Sequence, residues 1–536
     1  MQRWSSFVEQ WWALCDRTAK ARQVLGVVLP PLVLVGWISG IARTGRWPAG
    51  DGPHVLGIAM RLAQQLRDLD LGTFAYCFNV LLAPHPPGAY VPATLAYTVL
   101  GTEVAWAHLA AAGGVMWFIW DGMRRLGGGP WSALWLAACS GVWLQAELYG
   151  IDFVASACVI QSLSHLAVSE GLGKRIHVIG WAAWMGAAFL TKYTAPFFLV
   201  APCLVAGFWV IRHRRFKAFG IALGVFAVVA LPWWGPHIDE VLRYVQSSSD
   251  VNNEQLTNKA TLTEWNLDRF SWYLAVLADN LGWLGVAGAA VALGAWPRRR
   301  DLPAATWLIP TVAILSAYFI LCAQTQRQSR YLTPMLPLIA AVAGSARIRW
   351  VIAAPAAIGA YGAAMVYLAP EPAPVSRAFV HDLSTAGDSW PWPPEALSPM
   401  SLDPGKWDLD EALTRVREVH GSDEGTVGFM LAEENGAPPV GLVVYRAGTL
   451  GYRWHVSSPN TRDRGGNFAF YVMPFAAEDW PDRDFDVLLA MTREGDSQRS
   501  KWLQRYGLES VESWRLDERL SVSIWQRARP IPSSGQ

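Results

Sequence analysis

Charge is scarce in this chain. Charged residues make up 16% of its 536 positions, below the roughly 25% usual for soluble domains, and the formal net charge is only +1. No long basic tract offsets that balance, so nothing favours a nucleic-acid partner. Cysteine is sparse as well. The six residues Cys15, Cys77, Cys139, Cys158, Cys203 and Cys322 lie mostly in apolar runs. They form neither a disulfide framework nor a metal-type spacing and read as packing residues.

Apolar and aromatic residues are abundant, with 52% hydrophobic positions and 30 tryptophans. Tryptophan favours the water–lipid interface, so this composition suits a membrane protein. Residues 1–23 place Trp4, Phe7, Val8, Trp11 and Trp12 near helical spacing, with Arg17, Lys20 and Arg22 behind them. That pattern fits a cytoplasmic amphipathic helix on a membrane surface, and no small-residue cleavage site marks a signal peptide. The run 24–41 is long enough to span a bilayer, and Pro30-Pro31 inside it predicts a kink. Further spans are expected near 103–121, 131–148, 152–168, 176–191, 194–211, 218–234, 271–296, 303–323, 331–346 and 350–368. The total is about eleven transmembrane helices. The apolar segment 88–101 is short and reads as re-entrant or interfacial.

Lysine and arginine placement sets the orientation. With a cytoplasmic N-terminus, the cytoplasmic turns hold Arg124-Arg125, Lys174-Arg175, Arg212 with Arg214-Arg215-Lys217, Arg298-Arg299-Arg300, and Arg347 with Arg349. Every one of these short turns is basic, as the positive-inside rule requires. An odd number of spans then puts the C-terminal domain outside the cytoplasm. The chain divides into the segment 1–23, a membrane domain over 24–368, a Pro-rich linker over 369–404 and a soluble domain over 405–536. The membrane domain carries outer loops at 42–92 and 235–270. The second is polar and poor in large apolar residues, and reads equally as a mobile cover or a plain linker.

The polar interval Arg43–Tyr90 is long for a loop so early in a membrane protein. It holds Asp51 among glycines and a proline, then a helical segment, then His85-Pro86-Pro87. The topology brings this loop to the same face as Tyr149-Gly150-Ile151-Asp152, Thr191-Lys192-Tyr193 and the turn reaching Arg330-Tyr331. Asp152 and Lys192 sit in turns of a few residues, where a solvated charge has little room. Charges buried at a membrane border tend to mark sites.

These motifs, in this order, resemble the GT-C glycosyltransferases related to protein O-mannosyltransferases and the lipid A aminoarabinose transferase. The series is an early acid (Asp51), a basic-Pro-Pro segment (His85-Pro86-Pro87), Asp152 at a helix mouth, Leu190-Thr191-Lys192, and Arg330-Tyr331-Leu332-Thr333-Pro334-Met335-Leu336-Pro337. The resemblance covers roughly residues 24–346. Family members usually carry Asp-Glu where this chain has Asp51-Gly52, and Lys-Pro-Pro where it has His85-Pro86-Pro87. One carboxylate therefore stands where two are usual, and a titratable imidazole replaces a permanent cation.

The resemblance implies an integral inner-membrane enzyme that takes a sugar from a polyprenyl-phosphate carrier. It attaches the sugar to an acceptor hydroxyl outside the cytoplasm with inversion, and the acceptor is a protein, lipid or glycan. Asp51 is the candidate base, because a partly dehydrated carboxylate has its pKa raised toward the range of base catalysis. Gly-Asp-Gly-Pro is also a good turn signature, so a plain turn aspartate is the alternative. Lys192 and Arg330 are candidates for the lipid phosphate, with His85 a third and Tyr331 a donor contact. Snorkelling anchors at span ends are the rival reading for the two cations, and Arg327 competes with Arg330. Asp152 orients Lys192 or binds a sugar hydroxyl, and His54 faces the same cleft if a helix starts at Pro53. No cofactor is firmly expected; Asp152 and His85 could hold a divalent cation, but no metal-ligand spacing supports it.

In the C-terminal part, helical periodicity appears over 408–420 and 499–507. Short apolar strands fit 425–431, 440–446, 485–491, 510–515 and 520–526. That alternation suggests a small extracytoplasmic α/β domain for acceptor recognition or support of the outer loops. It contains no glycine-rich phosphate loop, nucleophile elbow or metal cluster. The fold class expected is therefore mainly α: a polytopic GT-C-like membrane helix bundle with a C-terminal α/β domain. The rivals are a transporter, for which His108 and Asp279 are the best intramembrane candidates, and a non-catalytic membrane assembly protein.

Overall fold

The structure is a computed structural model. It describes residues 47–48, 52–76, 86–101, 104–139, 149–256, 267–294, 304–323, 329–345, 401–402, 409–422, 424–431, 453–457, 487–493, 508–515 and 520–527, with a few single positions between them. The N-terminal surface helix, the spans at 24–41 and 350–368, most of the Pro-rich linker and the strand expected at 440–446 lie outside the described residues. So do Asp51, His85 and nearly all of 499–507.

The chain forms two compact units. One comprises 1–44, 112–236 and 259–400; the other comprises 45–111, 237–258 and 401–536.

The first unit is built from helices where the sequence has its apolar runs. They are α4 (Val104–Arg125), α5 (Pro130–Ala138), α6 (Ile151–Ala167), α7 (Arg175–Phe189), α8 (Val200–His213), α9 (Phe216–Leu256), α10 (Leu267–Gly294), α11 (Ala304–Ala323) and α12 (Met335–Gly344). By length and hydropathy, Phe216–Arg243 and Ala304–Ala323 are each able to cross a membrane. Helices α6, α8 and α12 are apolar but shorter. Two of these helices are divided: α4 belongs to the second unit as far as Ala111, and α9 belongs to it from His237.

The outer loop placed at 235–270 is helical as far as Leu256, because α9 runs on through Pro232 and Pro236 for 41 residues. The polar run Ser247–Asn253 masks the continuation in the sequence. Serine, asparagine and aspartate are weak helix formers, but propensity yields to context.

Packing in the first unit is centred on α6, whose residues from Asp152 to Ala167 are nearly all buried. It runs antiparallel to α7, the two joined through the short connection 168–174. The Ser162 hydroxyl donates to the Trp181 carbonyl across this pair at 3.2 Å. Trp234 Nε1 of α9 donates to the Phe189 carbonyl at the end of α7, 3.1 Å away. Helices α5 and α12 touch at Gly344, where an added Cβ would lie 2.2 Å from the Ser132 backbone nitrogen. Only glycine admits that approach.

In the second unit, α1 (Gly52–Arg67) and α2 (Leu71–Tyr76) precede α3 (Val91–Leu100). Val55, Leu56, Ala59, Met60, Leu62 and Ala63 are buried on one face of α1, the i, i+4, i+7 pattern of an amphipathic helix. That face packs on α3, which buries Ala93 and Tyr97. Arg67 Nε also donates to the Thr98 carbonyl at 3.0 Å. Just ahead of α1, the short strand β1 (Trp47–Pro48) pairs antiparallel with β2 (Ser401–Leu402), Trp47 opposite Leu402. The opening loop is thereby tied to the chain entering the C-terminal domain.

That domain carries α13 (Leu409–His420) and strands β3 (Glu424–Leu431), β4 (Arg453–Ser457), β5 (Val487–Arg493), β6 (Leu508–Arg515) and β7 (Leu520–Arg527). The sheet order is β4-β3-β5-β7-β6. β3 runs parallel to β4 and β5, and β7 runs antiparallel to β5 and β6. The central strand β5 buries Val487, Leu488, Leu489 and Ala490 in succession, as a strand covered on both faces requires. α13 buries Leu409, Ala412, Leu413 and Val416 and packs on β5.

Candidate active site

The site grows out of the two ends of chain that α6 and α7 bring together. Before α6, Tyr149 is buried and adopts a left-handed backbone with φ of 49°. A non-glycine residue there costs on the order of 1–3 kcal/mol, and such strain clusters at functional sites. Gly150 follows in extended conformation as the N-cap, without a side-chain cap. Asp152 lies in the first turn of α6, where exposed backbone N–H groups and the helix dipole favour a negative charge. Its own carbonyl accepts from the Ser156 hydroxyl at 2.6 Å.

Lys192 lies just past the end of α7. Its backbone N–H donates to the Ala188 carbonyl at 3.2 Å, and its carbonyl accepts from Ala195 N–H at 3.1 Å. The turn passes into a 3-10 helix over Ala195–Phe198. Thr191 donates its hydroxyl to the Ala187 carbonyl at 2.7 Å, and Cys158 Sγ of α6 lies 3.6 Å from the Thr191 hydroxyl oxygen.

The Lys192 ammonium donates to both oxygens of Asp152, at 2.6 Å each. Both side chains are deeply buried, 9% exposed for Lys192 and 2% for Asp152. Two charges taken out of water hold this position only because each satisfies the other.

Arg330 arrives from a separate 3-10 helix, Ser329–Leu332. The Thr333 hydroxyl, donating to the Arg330 carbonyl at 2.7 Å, closes that turn. Arg330 Nε stands 3.9 Å from Asp152 Oδ2 and keeps 31% of its side chain exposed. Tyr331 is buried at 6% exposure. The Lys192 ammonium sits over its ring, 4.6 Å from the centroid, a cation–π contact.

The structure thus gathers four of the residues named from the sequence, Asp152, Lys192, Arg330 and Tyr331. His54 lies in the first turn of α1. Asp51 and His85 lie outside the described residues, and with His85 the Asp152–His85 cation site. Among the described residues, no three His, Cys, Asp or Glu side chains are grouped to hold a metal ion. His108, buried in α4, and Asp279, in α10, are helical. Sequence reasoning missed Ser156, whose hydroxyl caps the Asp152 carbonyl. Its signal was the i+4 spacing from Asp152, where serine bonds back to the preceding turn.

This arrangement sits in a fold that has known counterparts. ArnT from Cupriavidus metallidurans in the apo state matches with a TM-score of 0.55 and 16% identity, over 93% of this chain and 97% of that one. ArnT from the same organism bound to undecaprenyl phosphate matches with a TM-score of 0.56 and 15% identity, over 95% and 98% of the two chains. The chain has the ArnT fold. The mainly helical GT-C-type architecture with a small C-terminal sheet, expected from the sequence, is borne out by this match. The ArnT likeness extends through the C-terminal domain as well as the helices, since it covers nearly the whole of each chain. No protein-family model matches the sequence, and no curated protein does.

Proposed function

We propose that this protein is an integral membrane glycosyltransferase that moves a sugar from a polyprenyl-phosphate carrier to an acceptor hydroxyl on the outer face of the membrane, with inversion. The observation that carries the reading is the meeting of Lys192, Arg330 and Tyr331 at the buried carboxylate of Asp152. The ArnT fold adds support, since one of its matched structures is bound to undecaprenyl phosphate.

The chemistry follows from charge. When the sugar leaves its carrier, negative charge grows on the lipid phosphate. Cations fixed in a dehydrated site stabilise that charge far better than they would in water. Lys192 is held as a point charge by Asp152 and Tyr331, so it needs no reorganisation during the reaction. Arg330 presents a planar fork that matches phosphate oxygens and is exposed enough to meet a ligand. Asp152 acts as a positioning residue for Lys192, and Asp51 takes the acceptor proton. His85 is a third phosphate contact, and His54 follows Asp51 by three residues in the sequence.

The apolar helices and the basic short turns support a multi-pass inner-membrane location, with the N-terminus inside and the C-terminal domain outside. The pairing of β1 with β2 supports a role for that domain in bracing the opening loop.

The test is transfer of label from a polyprenyl-phosphate sugar by purified protein and by a folded Asp51→Asn variant. A general base contributes about 10²- to 10⁴-fold, so the variant is expected to lose at least about 100-fold. Undiminished transfer by Asp51→Asn would remove Asp51 from the reaction. Absence of transfer by the wild type with every such donor favours the transporter or assembly readings instead.

A further inference from the structure

The α6–α7 hairpin carries a second cross-link at its other end, and the proposed function does not use it. His165 in the last turn of α6 and His177 in the first turn of α7 face each other across the connection 168–174, their Nδ1 atoms 3.1 Å apart. The rings are 5.3 Å between centroids and tilted by 48°. Both side chains are half-buried, so water reaches them. Gly180, one turn along α7, makes the room: a Cβ there would fall 2.5 Å from His165 Nδ1.

We infer that His165 and His177 form a chelating pair for an exchangeable borderline divalent cation of the zinc, nickel or copper class. Histidine nitrogens bind such ions at about 2.0–2.1 Å. Two bonds of that length spanning the 3.1 Å gap subtend about 98°, between the angles of tetragonal and tetrahedral coordination. Water completes the coordination sphere, since no third His, Cys, Asp or Glu among the described residues joins the group. The binding is therefore weak and reversible.

Charged groups of both signs surround the two rings. The charged groups that act on the pair are Asp121 and Arg125 from α4, and Glu170 and Lys174 from the connection. These form ion pairs: Arg125 lies 2.5 Å and Arg124 3.5 Å from Asp121, and Lys174 lies 2.6 Å from Glu170. A bound ion is therefore held against a slight excess of positive charge. Gln161, one turn before His165, donates to Asp121 Oδ2 at 3.1 Å and anchors that network to α6. Binding replaces an N–H···N hydrogen bond, with the shared proton moving to a ring Nε2. Protonating either ring in acid competes with the ion, as for any histidine site.

The test uses untagged full-length protein in detergent, titrated calorimetrically with zinc chloride and separately with nickel chloride. Saturable binding of one equivalent is expected, weakened at least tenfold in His177→Gln and in His165→Gln. A rise in thermal midpoint with added zinc should disappear in the same variants, which guards against a variant that merely loses its fold. The control His213→Gln removes an imidazole packed on Gly171 of the same connection and is expected to bind as the wild type does. Absence of saturable binding by the wild type would overturn the inference. So would unchanged affinity in both pair variants, or an equal loss in His213→Gln; the two rings would then be joined by a hydrogen bond alone.

Discussion

The two ends of the α6–α7 hairpin are pinned by different chemistry. At one end Asp152 and Lys192 form a buried ion pair, overlaid by Tyr331 and approached by Arg330. At the other, His165 and His177 share a contact between half-buried imidazoles beside one partly buried and one exposed ion pair. The first end is costly to assemble, because desolvating each ion costs several kcal/mol before the attraction returns it. The second is inexpensive, since a neutral hydrogen bond is worth only about 0.5–1.5 kcal/mol net. A hairpin needing only a clasp could use the second kind at both ends. Placing the costly kind where Arg330 and Tyr331 also converge points to work beyond holding helices together.

That comparison can be broken, and the largest effect is expected at Lys192. Lys192→Met leaves the Asp152 carboxylate buried without its ammonium, and should lower stability by about 3–5 kcal/mol. Asp152→Leu combined with Lys192→Met should lose much less than the two single changes together, since no isolated charge remains. Denaturation of all three in detergent checks this; strict additivity would mean the pair is not coupled as the geometry says. Tyr331→Leu removes the ring beneath the ammonium while keeping an apolar side chain. A loss of about 0.5–2 kcal/mol is expected, appearing as weaker binding of the phosphate lipid as well as a lower melting point. At the opposite end, His177→Gln should cost about 1 kcal/mol or less and leave that binding unchanged. An effect there as large as at Lys192 would erase the distinction between the two ends.

How much of this was legible in the sequence varies by element. Hydropathy located α4, α6, α7, α10 and α11 within a few residues, because each is a long apolar run bounded by charge or proline. α9 was cut short, because its last turns carry Ser247–Asn253 and no apolar stripe. β4 was missed, since Arg453–Ser457 mixes charge and histidine and stands at the end of the strand order among the described residues. At the site, Asp152 and Lys192 were legible because they sit in short turns where a solvated charge has little room, whereas Arg330 and Tyr331 were named from the family resemblance of the motif around them. The double contact of Lys192 with Asp152 needed the packed hairpin to be seen. His165 and His177 gave no signal at all: twelve positions apart, they meet only because the chain reverses between them.

The central claim is that Lys192, Arg330 and Tyr331 receive the phosphate of a polyprenyl carrier. Arg330 offers the most direct test, because its side chain is 31% exposed and its replacement leaves the buried Asp152–Lys192 pair in place. The measurement is the affinity of purified wild type and Arg330→Gln for undecaprenyl phosphate in detergent, with the melting curve of each recorded alongside. Loss of a charged hydrogen bond worth about 1.5–3 kcal/mol predicts binding weakened by at least about tenfold in a variant that still melts cooperatively. Equal affinity in the two proteins would contradict the account.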